Sequence, residues 1–411
     1  MNKKTIRDVD IIGKRLLMRV DFNVPLNMEH PPGRKELKIT DDTRIKSALP
    51  TIQYALDKGA KIILMSHLGR PDGNVQEELR LRPVALRLEE LLNKRVACTS
   101  DCVGKEVEDA VQKMKDGDVL LLENVRFHPE EEKNERDFAK KLSLLGDIFV
   151  NDAFGTAHRA HASTCGVAEF LPAIGGFLME KEIEYLQKTI ESPRKPFVVI
   201  LGGAKVSDKI GVIEHLLDKV DKFLIGGGMA YTFLAARGER IGKSKLEKDR
   251  IEYAKDLLTK VTNMGVQLLL PSDHVVVREL DKKSESRVVS GYIPEDMLGV
   301  DIGPETIHLF KRVLGDARTI LWNGPLGVFE IEPFGKGTRD VAEFITKLDA
   351  VTVIGGGDTA SAFSQFGLED KVSHVSTGGG ASLEFLEGKE LPGIAVLQDK
   401  YGTSASSGKS K

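Results

Sequence analysis

Short runs of valine, isoleucine and leucine recur along the whole chain, and each run ends in glycine or in polar residues. They occupy residues 15–23, 61–69, 118–126, 147–155, 197–205, 222–228, 267–273, 319–325, 351–358 and 372–380. Charged segments with helical periodicity, such as residues 81–94, separate many of them. Runs of this kind are typical of parallel strands that helices cover on both faces. The sequence therefore predicts an α/β fold.

The length of the chain and the spacing of the runs indicate two domains. A chain of 411 residues exceeds the roughly 100 to 200 residues of one ordinary domain. We expect two doubly wound, Rossmann-like parallel-sheet lobes at residues 1–175 and 193–389. Between them the sequence predicts a joining helix over residues 176–192, because apolar residues recur there at helical spacing and Ser192-Pro193 ends the pattern. Those apolar residues are Met179, Ile183, Leu186 and Ile190.

Charge and hydropathy exclude several classes of partner. The hydrophobic content is 41%, the charged content is 29% and the formal net charge is -3, so no overall basic field attracts nucleic acid or anionic lipid. The first ten residues are not followed by an apolar signal region, and no apolar run approaches the roughly 18 residues that a membrane helix needs. We expect a cytoplasmic protein that binds neither nucleic acid nor membranes.

The three cysteines carry no recognisable pairing or metal-binding pattern. Cys98, Cys102 and Cys165 are an odd number without C-x-x-C spacing, which argues against a disulfide framework or a closed zinc site. We expect reduced and buried thiols.

Polar residues that follow the runs of the first half suit a small polyanion. Ligands of open parallel sheets bind at the carboxyl ends of the strands, and the guanidinium fork of arginine matches phosphate and carboxylate oxygens. The alternatives are plain turns, or the solvent face of an edge strand for Arg19, Asp21 and Asn23. A metal site at residues 158–161 lacks further ligands nearby. The candidate anion contacts are Asp21, Asn23, Arg44, His67, Arg70, Arg126, His158 and Arg159.

The strand ends of the second half suit a longer phosphate chain and its metal. Gly202-Gly203 ends one run, and the helix expected after it carries Lys205 and Lys209 on one face, where like charges repel unless an anion binds. Gly355, Gly357 and Ala360 match the dinucleotide fingerprint of a nicotinamide dehydrogenase. However, no acidic residue stands about 20 positions further on to hold a ribose. Residues 238–244 resemble a P-loop, but that pattern requires its first glycine at position 237, where this chain has Arg237.

Ten motifs taken together closely resemble the phosphoglycerate kinase family. They are RVDFNVP, DDTRI, SHLGRP, ENVRFHPEE, NDAFGTAHRAHAS, GGAKVSDKI, GGGMAYTFL, WNGPLGVFE, IGGGDT and STGGGASLEF, and they follow the family's order from about residue 15 to 397. The resemblance implies two lobes that face each other across a cleft, with the C-terminal segment 390–411 packed back on the N-terminal lobe. One departure is the stretch of residues 27–37, longer than the usual connector, which we interpret as a surface loop.

The resemblance also implies the site residues. The 3-phosphoglycerate site on the N-terminal lobe comprises Asp21, Phe22, Asn23, Arg44, His67, Leu68, Gly69, Arg70, Arg126, His158 and Arg159. The MgADP/MgATP site on the C-terminal lobe comprises Lys205, Lys209, Gly299, Asn323, Glu330, Gly356, Gly357, Asp358 and Thr359. In this pattern Glu330 holds ribose hydroxyls and Asp358 holds Mg²⁺. Arg44 and Lys205 are the catalytic residues, assisted by a helix start at Gly378, Gly379 and Gly380.

The implied reaction is reversible phosphoryl transfer from 1,3-bisphosphoglycerate to MgADP, giving 3-phosphoglycerate and MgATP in glycolysis and gluconeogenesis. The acceptor in the reverse direction is a carboxylate, which is ionised at neutral pH and needs no general base. We expect a monomer that closes by hinge bending. The alternatives are an NAD-dependent dehydrogenase built on the GGGDTA turn, and a phosphometabolite-binding protein without turnover.

Overall fold

The computed structural model describes residues 2–29 and 36–400, and these residues form two compact units. Unit 1 takes those within Met1–Glu184 and Glu390–Lys411, and unit 2 takes Tyr185–Lys389. Within the described ranges no helix has the length and apolar character needed to cross a bilayer.

Unit 1 is built on a six-stranded parallel sheet in the order β5-β6-β4-β1-β7-β8. Its strands, with a separate antiparallel ribbon of β2 and β3, are β1 (Arg15–Arg19), β2 (Leu26–Glu29), β3 (Glu36–Ile39), β4 (Lys61–Met65), β5 (Val96–Cys98), β6 (Val119–Leu121), β7 (Ile148–Asn151) and β8 (Ala173–Gly175). The chain starts in the middle of the sheet and winds outward in both directions. Because β1 is central, the edge-strand interpretation of Arg19 is wrong.

Helices of unit 1 cover the sheet and position its strand ends. They are α1 (Thr43–Asp57), α2 (Arg82–Leu92), α3 (Lys105–Gln112), α4 (Pro129–Glu132) and α5 (Arg136–Ser143), followed by α6 (Phe177–Glu191), which continues into unit 2. The predicted joining helix corresponds to α6, whose four periodic apolar residues are all buried. Asp152 accepts hydrogen bonds from the backbone of Leu178 (2.9 Å) and Met179 (3.2 Å) at its start.

Unit 2 contains a second six-stranded parallel sheet, in the order β11-β10-β9-β15-β16-β17, and an antiparallel sheet, in the order β13-β12-β14. Its strands are β9 (Phe197–Leu201), β10 (Lys222–Ile225), β11 (Gln267–Leu269), β12 (Asp273–Val277), β13 (Arg287–Ser290), β14 (Leu298–Ile302), β15 (Thr319–Asn323), β16 (Val351–Gly355) and β17 (His374–Val375). The two doubly wound parallel sheets confirm the predicted fold class.

The remaining helices surround the sheets of unit 2, except the last, which belongs to unit 1. They are α7 (Ile210–Leu216), α8 (Ala230–Ala236), α9 (Ile251–Asn263), α10 (Pro304–Leu314), α11 (Lys336–Ile345), α12 (Gly357–Gln365), α13 (Gly380–Leu386) and α14 (Pro392–Ala395). The end of the described chain lies against its beginning, since Lys4 N–H donates to Gln398 O (2.7 Å). The same segment also contacts the loop after β7, where Gly393 N–H donates to Ala157 O (2.8 Å).

Two local expectations are wrong, and a third lies partly outside the described residues. The stretch of residues 27–37 is not simply a surface loop, because its described residues continue β2 and β3 in an antiparallel ribbon; residues 30–35 lie outside the described part. Cys98 is exposed, whereas Cys102 and Cys165 are buried. Of the segment 390–411, which the resemblance places on the N-terminal lobe, residues 401–411 also lie outside the described residues.

Candidate active site

The predicted anion contacts of unit 1 gather around the carboxyl ends of β1 and β4. Arg44, in the first turn of α1, pairs with Asp21 (Nη1 to Oδ2, 2.6 Å). Asn23 accepts the backbone N–H of Gly69 through Oδ1 (2.9 Å), and Arg126 donates from Nη1 to the carbonyl of the same glycine (2.9 Å). Three loops from different strands are therefore joined at one point. Asp21 and Asn23 lie beyond the end of β1, not on its face as the sequence suggested.

Arg126 is a buried cation with unused hydrogen-bonding capacity. Its side chain is 4% exposed, and its Nε lies 3.1 Å from a carboxylate oxygen of Glu132. Within the described part of the chain, neither Nε nor Nη2 has a partner that meets hydrogen-bond geometry. Buried N–H groups without acceptors cost about 1–3 kcal/mol each. A bound anion would supply those acceptors.

His67 is held neutral in the middle of this cluster. Burial, followed by the charges of Arg19, Arg126, Arg159 and Arg44, lowers the pKa of His67 well below its ordinary value. The same causes lower the pKa of His161 to about 4, burial first and then neighbouring arginines. Burial and neighbouring positive charge are thus common to both histidines. A polyanion would relieve the repulsion between these groups.

The other predicted residues of unit 1 have different surroundings. Phe22 and Leu68 are buried, and their backbones are held by Ser66 and Asn124 respectively. Arg70 is exposed beyond Gly69. The side chains at residues 158 and 159 contact each other, with 3.3 Å between Arg159 Nε and His158 Nε2.

Sequence reasoning missed a buried network beneath the cluster. Arg19 is 1% exposed and donates from Nε to Ser163 Oγ (2.8 Å), and one of its terminal nitrogens lies 3.1 Å from His67 Nδ1. The Ser163 hydroxyl donates to Glu131, which is fully buried (2.5 Å). The available signal was an arginine directly after a buried apolar run, but its partner Glu131 lies in a charged stretch that looks solvent-exposed.

In unit 2 a cavity of about 300 Å³ lies at the carboxyl ends of the strands. Three predicted nucleotide contacts line it, namely Gly299, Glu330 and Asp358, together with the glycine turns after β9 and β10. Two further lining residues, Tyr231 and Asp301, were not predicted. Burial raises the pKa of Asp301 to about 7 and also raises the pKa of Tyr231, a direction that keeps both groups protonated over a wider range. The cavity thus combines glycine backbone with a few polar side chains.

Lys209, Asn323 and Thr359 lie together at the ends of β15 and β16. Lys209 donates from Nζ to Asn323 Oδ1, and Gly324 N–H donates to Thr359 Oγ1 (2.7 Å). Burial lowers the pKa of Lys209, while Asp208 and Asp358 oppose that shift. Asn323 Nδ2 is buried and has no partner among the residues that the structure describes. This donor and the Lys209 ammonium are available to an anion.

Helix starts at the glycine turns partly match the expectations. Gly356 has φ of 85° and precedes α12, which begins at Gly357, and Gly379 precedes α13 with φ of 51°. The expectation that Lys205 and Lys209 share a face of the following helix is wrong, because α7 begins only at Ile210. Ser207 is bound through its hydroxyl to Glu247 (2.6 Å). Such side-chain bonds compete with helical hydrogen bonding.

The phosphoglycerate kinase family model matches residues 6–389 of this sequence. The chain belongs to this family. The phosphoglycerate kinase of Dictyoglomus turgidum is 58% identical over 405 residues, covering 97% of this chain and 100% of the relative. That of Pelotomaculum thermopropionicum is 57% identical over 401 residues, with 97% and 100% covered.

Solved structures of the family have the same fold. The structure of phosphoglycerate kinase from Coxiella burnetii has a TM-score of 0.85 at 42% identity and covers 96% of this chain and 98% of its own. The crystal structure of the enzyme from Pyrococcus horikoshii has a TM-score of 0.81 at 34% identity, with the same coverage. The chain is accordingly a kinase that transfers a phosphoryl group to or from the carboxyl group of phosphoglycerate, and the dehydrogenase alternative is wrong.

Proposed function

We propose that unit 1 binds 3-phosphoglycerate or 1,3-bisphosphoglycerate at the arginine cluster and that unit 2 binds MgADP or MgATP in its cavity. The observation that carries the first half is the buried Arg126 guanidinium: among the described residues its Nη2 has no hydrogen-bond acceptor, and its Nε forms an ion pair with Glu132 that lacks hydrogen-bond geometry. The cavity lined by Glu330, Asp358 and glycine backbone supports the second half. We further propose that the protein works as a cytosolic monomer.

On unit 1, arginine forks bind the phosphate and carboxylate oxygens of the acid. Asp21 holds Arg44 by the 2.6 Å ion pair, and Asn23 holds the loop at Gly69. His67, being neutral, offers a hydrogen bond and no charge. His158, Arg159 and Arg70 complete the contacts, and the buried Phe22 and Leu68 fix the backbone around them.

On unit 2, Lys209, Asn323 and the glycine turn at residues 356–359 bind the phosphate chain, and Glu330 binds ribose hydroxyls near Gly299. Asp358 is exposed in the first turn of α12 and lines the cavity. A single carboxylate beside a phosphate site fits Mg²⁺, which is usually held by one or two carboxylates and by the phosphates themselves. When bound, the ion neutralises charge on those phosphates.

Catalysis rests on positioning and on positive charge. The transferring group spreads charge over three oxygens, and Arg44 and Lys205 stabilise that charge, with backbone N–H groups at residues 378–380. No residue needs to act as a base, because the acceptor is a carboxylate. Hinge closure brings Arg44 and Lys205 to the same phosphoryl group and excludes water that would hydrolyse it.

A coupled assay with 3-phosphoglycerate and MgATP tests the activity, and the Lys205→Ala variant tests the catalytic role. We expect kcat to fall by at least about a hundredfold, with little change in the Kd for MgADP. The exposed Lys260 of α9 offers a matched control, and Lys260→Ala should behave as the unmodified protein. Equal losses of kcat and of nucleotide affinity would assign Lys205 to binding alone.

A further inference from the structure

Asp101, Cys102 and His128 form a cluster of metal-binding side chains in unit 1 that the proposed reaction does not use. One donor atom from each residue, namely a carboxylate oxygen, the thiol sulfur and an imidazole nitrogen, lies within 4.8 Å of the others. His128 Nε2 is 2.6 Å from Asp101 Oδ1. We propose that these three residues form a binding site for a thiophilic divalent cation of the Zn²⁺ class.

The donor set selects the class of metal. Thiolate, imidazole and carboxylate together suit Zn²⁺, whereas Mg²⁺ prefers oxygen ligands alone. Ligand distances of about 2.0–2.3 Å place the donors of a tetrahedral site about 3.3–3.7 Å apart. The three donor atoms lie within 4.8 Å of one another, so shifts of about 1 Å bring them to these separations. The imidazole and carboxylate have to separate by about 1 Å from their present hydrogen bond to reach them.

Neighbouring residues hold two of the ligands in place. The backbone carbonyl of Asp101 accepts the Thr99 hydroxyl (2.6 Å), and its Oδ1 accepts the N–H of Cys102 (2.6 Å). The His128 ring stacks on Phe138 with 5.1 Å between centroids. Such outer contacts fix ligand orientation in metal sites.

Exposure and charge also fit a bound cation. Cys102 is buried, but the side chains of Asp101 and His128 are 48% and 25% exposed, so an ion can enter from the solvent and keep a water as its fourth ligand. Binding breaks the S–H bond, releases the proton to solvent and forms the sulfur–metal bond. A cation with two positive charges thereby takes the place of a proton with one.

The test measures Zn²⁺ binding to the full chain without nucleotide, by competition with a chromogenic chelator in excess Mg²⁺. We expect one equivalent of Zn²⁺ that Mg²⁺ does not displace. Replacing Zn²⁺ by Co²⁺ should give a thiolate-to-cobalt charge-transfer band in the near ultraviolet. The affinity should fall at least about tenfold in Cys102→Ala and in His128→Asn, and the cobalt band should vanish in the former.

The other two cysteines provide matched controls. Cys165→Ala removes a buried thiol and Cys98→Ala removes an exposed one, and both variants should keep the site. Binding that persists in Cys102→Ala, or that is lost in Cys98→Ala, would overturn the proposal in favour of adventitious thiol binding. His128→Asn alters a partly exposed side chain, so it still tests the site if the Cys102 variant fails to fold. None of these readings depends on kinase activity.

Discussion

Arg19 illustrates how a charge can be buried beneath a binding site. It lies at the end of the central strand β1, and Ser163 bridges it to the buried Glu131. Burying either charge alone would destabilise the folded protein, and the opposite charge nearby compensates that cost. Arg19 also lies against His67, so the network supports the residues that are proposed to contact the substrate.

Removing one partner of this network should therefore destabilise the protein strongly. In Arg19→Leu, Glu131 loses its counter-charge, and we expect the free energy of unfolding to fall by about 3–5 kcal/mol at pH 8. Burial already raises the pKa of Glu131, and losing the arginine raises it further. The protonated acid is the form that the folded state then favours, so the loss should be smaller at pH 5. Urea unfolding at both values measures the difference.

The double variant Arg19→Leu/Glu131→Leu is the control for this prediction. It removes both charges and should recover part of the stability lost in the single variant, with little dependence on pH. A double variant that is as unstable as the sum of two single variants would mean that the charges are not coupled.

Asp301 should make the stability of unit 2 depend on pH near neutrality. Its carboxylate accepts the N–H of Gly337 (2.7 Å) and of Ile302 (2.9 Å), but burial outweighs these bonds and raises its pKa from 3.8 to about 7. A raised folded-state pKa gives stability that is fully present below the unfolded pKa and lost as pH rises through the folded one. The contribution of Asp301 to the free energy of unfolding should thus decline between pH 5 and pH 8.

Asp301→Asn isolates this contribution, because asparagine cannot ionise. The substitution replaces one of the two accepting oxygens by an NH₂ group, so one backbone N–H loses its acceptor at every pH. The variant should therefore be less stable than the unmodified protein at pH 5. The gap to the unmodified protein should shrink by about 2 kcal/mol at pH 8. Urea unfolding of the two proteins at the two pH values measures this difference in stability. A difference that is the same at pH 5 and pH 8 would show that Asp301 is already ionised at pH 5.

At the scale of elements, the glycines after β9 and β15 let two strand-end loops touch. A Cβ at Gly202 would lie 2.1 Å from the carbonyl oxygen of Pro325, which is closer than real contacts allow. Gly324 has φ of 96° and is similarly crowded by the backbone of Gly202. Since Gly203 and Pro325 line the proposed nucleotide cavity, this close approach shapes one of its walls.

Gly202→Ala should therefore weaken nucleotide binding. The new methyl group forces the loops apart, and we expect the Kd for MgADP to rise by at least about tenfold, equivalent to 1.4 kcal/mol. Gly315→Ala is the matched control, because a Cβ there lies 3.5 Å from its nearest neighbour and the backbone is α-helical; it should bind MgADP normally. Isothermal titration calorimetry on both variants measures the effect, and normal affinity in Gly202→Ala would contradict this account of the wall.

The sequence predicted elements where one local pattern dominates and missed those that depend on partners distant in the chain. Continuous apolar runs predicted β1, β4, β9, β15 and β16, because strands buried on both faces cannot carry polar residues. The strands β5 and β8 lie outside all the predicted runs and were missed. The β2–β3 ribbon and the antiparallel sheet were also missed, since exposed strands such as β13 are polar.

The same limit applies to the site. Glycine turns and the polar residues beside them revealed Asp21, Asn23 and Asp358 as candidates, because those residues follow a strand directly. Arg19 and Asp301 also lie near strand ends, but their importance comes from their burial. That burial is created by residues distant in the sequence, so no local pattern predicts it. The start of α7 was misplaced because Glu247, which binds Ser207, is 40 residues distant.

At the scale of the whole molecule, each unit carries its own proposed substrate site. With 3-phosphoglycerate alone, amide exchange should slow in unit 1, above all at Gly69, whose N–H is held by Asn23. With MgADP alone, the slowing should lie at the turns around Gly356 in unit 2. Hydrogen exchange with mass spectrometry on the full chain separates the two. Protection of unit 2 by 3-phosphoglycerate alone would contradict the assignment of the sites.

Filling both sites is not sufficient for turnover, because the reacting oxygens also have to align and the water between them has to leave. If Arg44 of unit 1 and Lys205 of unit 2 stabilise one phosphoryl group, the two units must close when both substrates are bound. Small-angle scattering should then give a smaller radius of gyration with 3-phosphoglycerate and a non-hydrolysable MgATP analogue together than with either ligand alone. Lys205→Ala, which retains the other residues of both proposed sites, should close less completely. An unchanged radius in the ternary complex would mean that the catalytic charges do not come from both units.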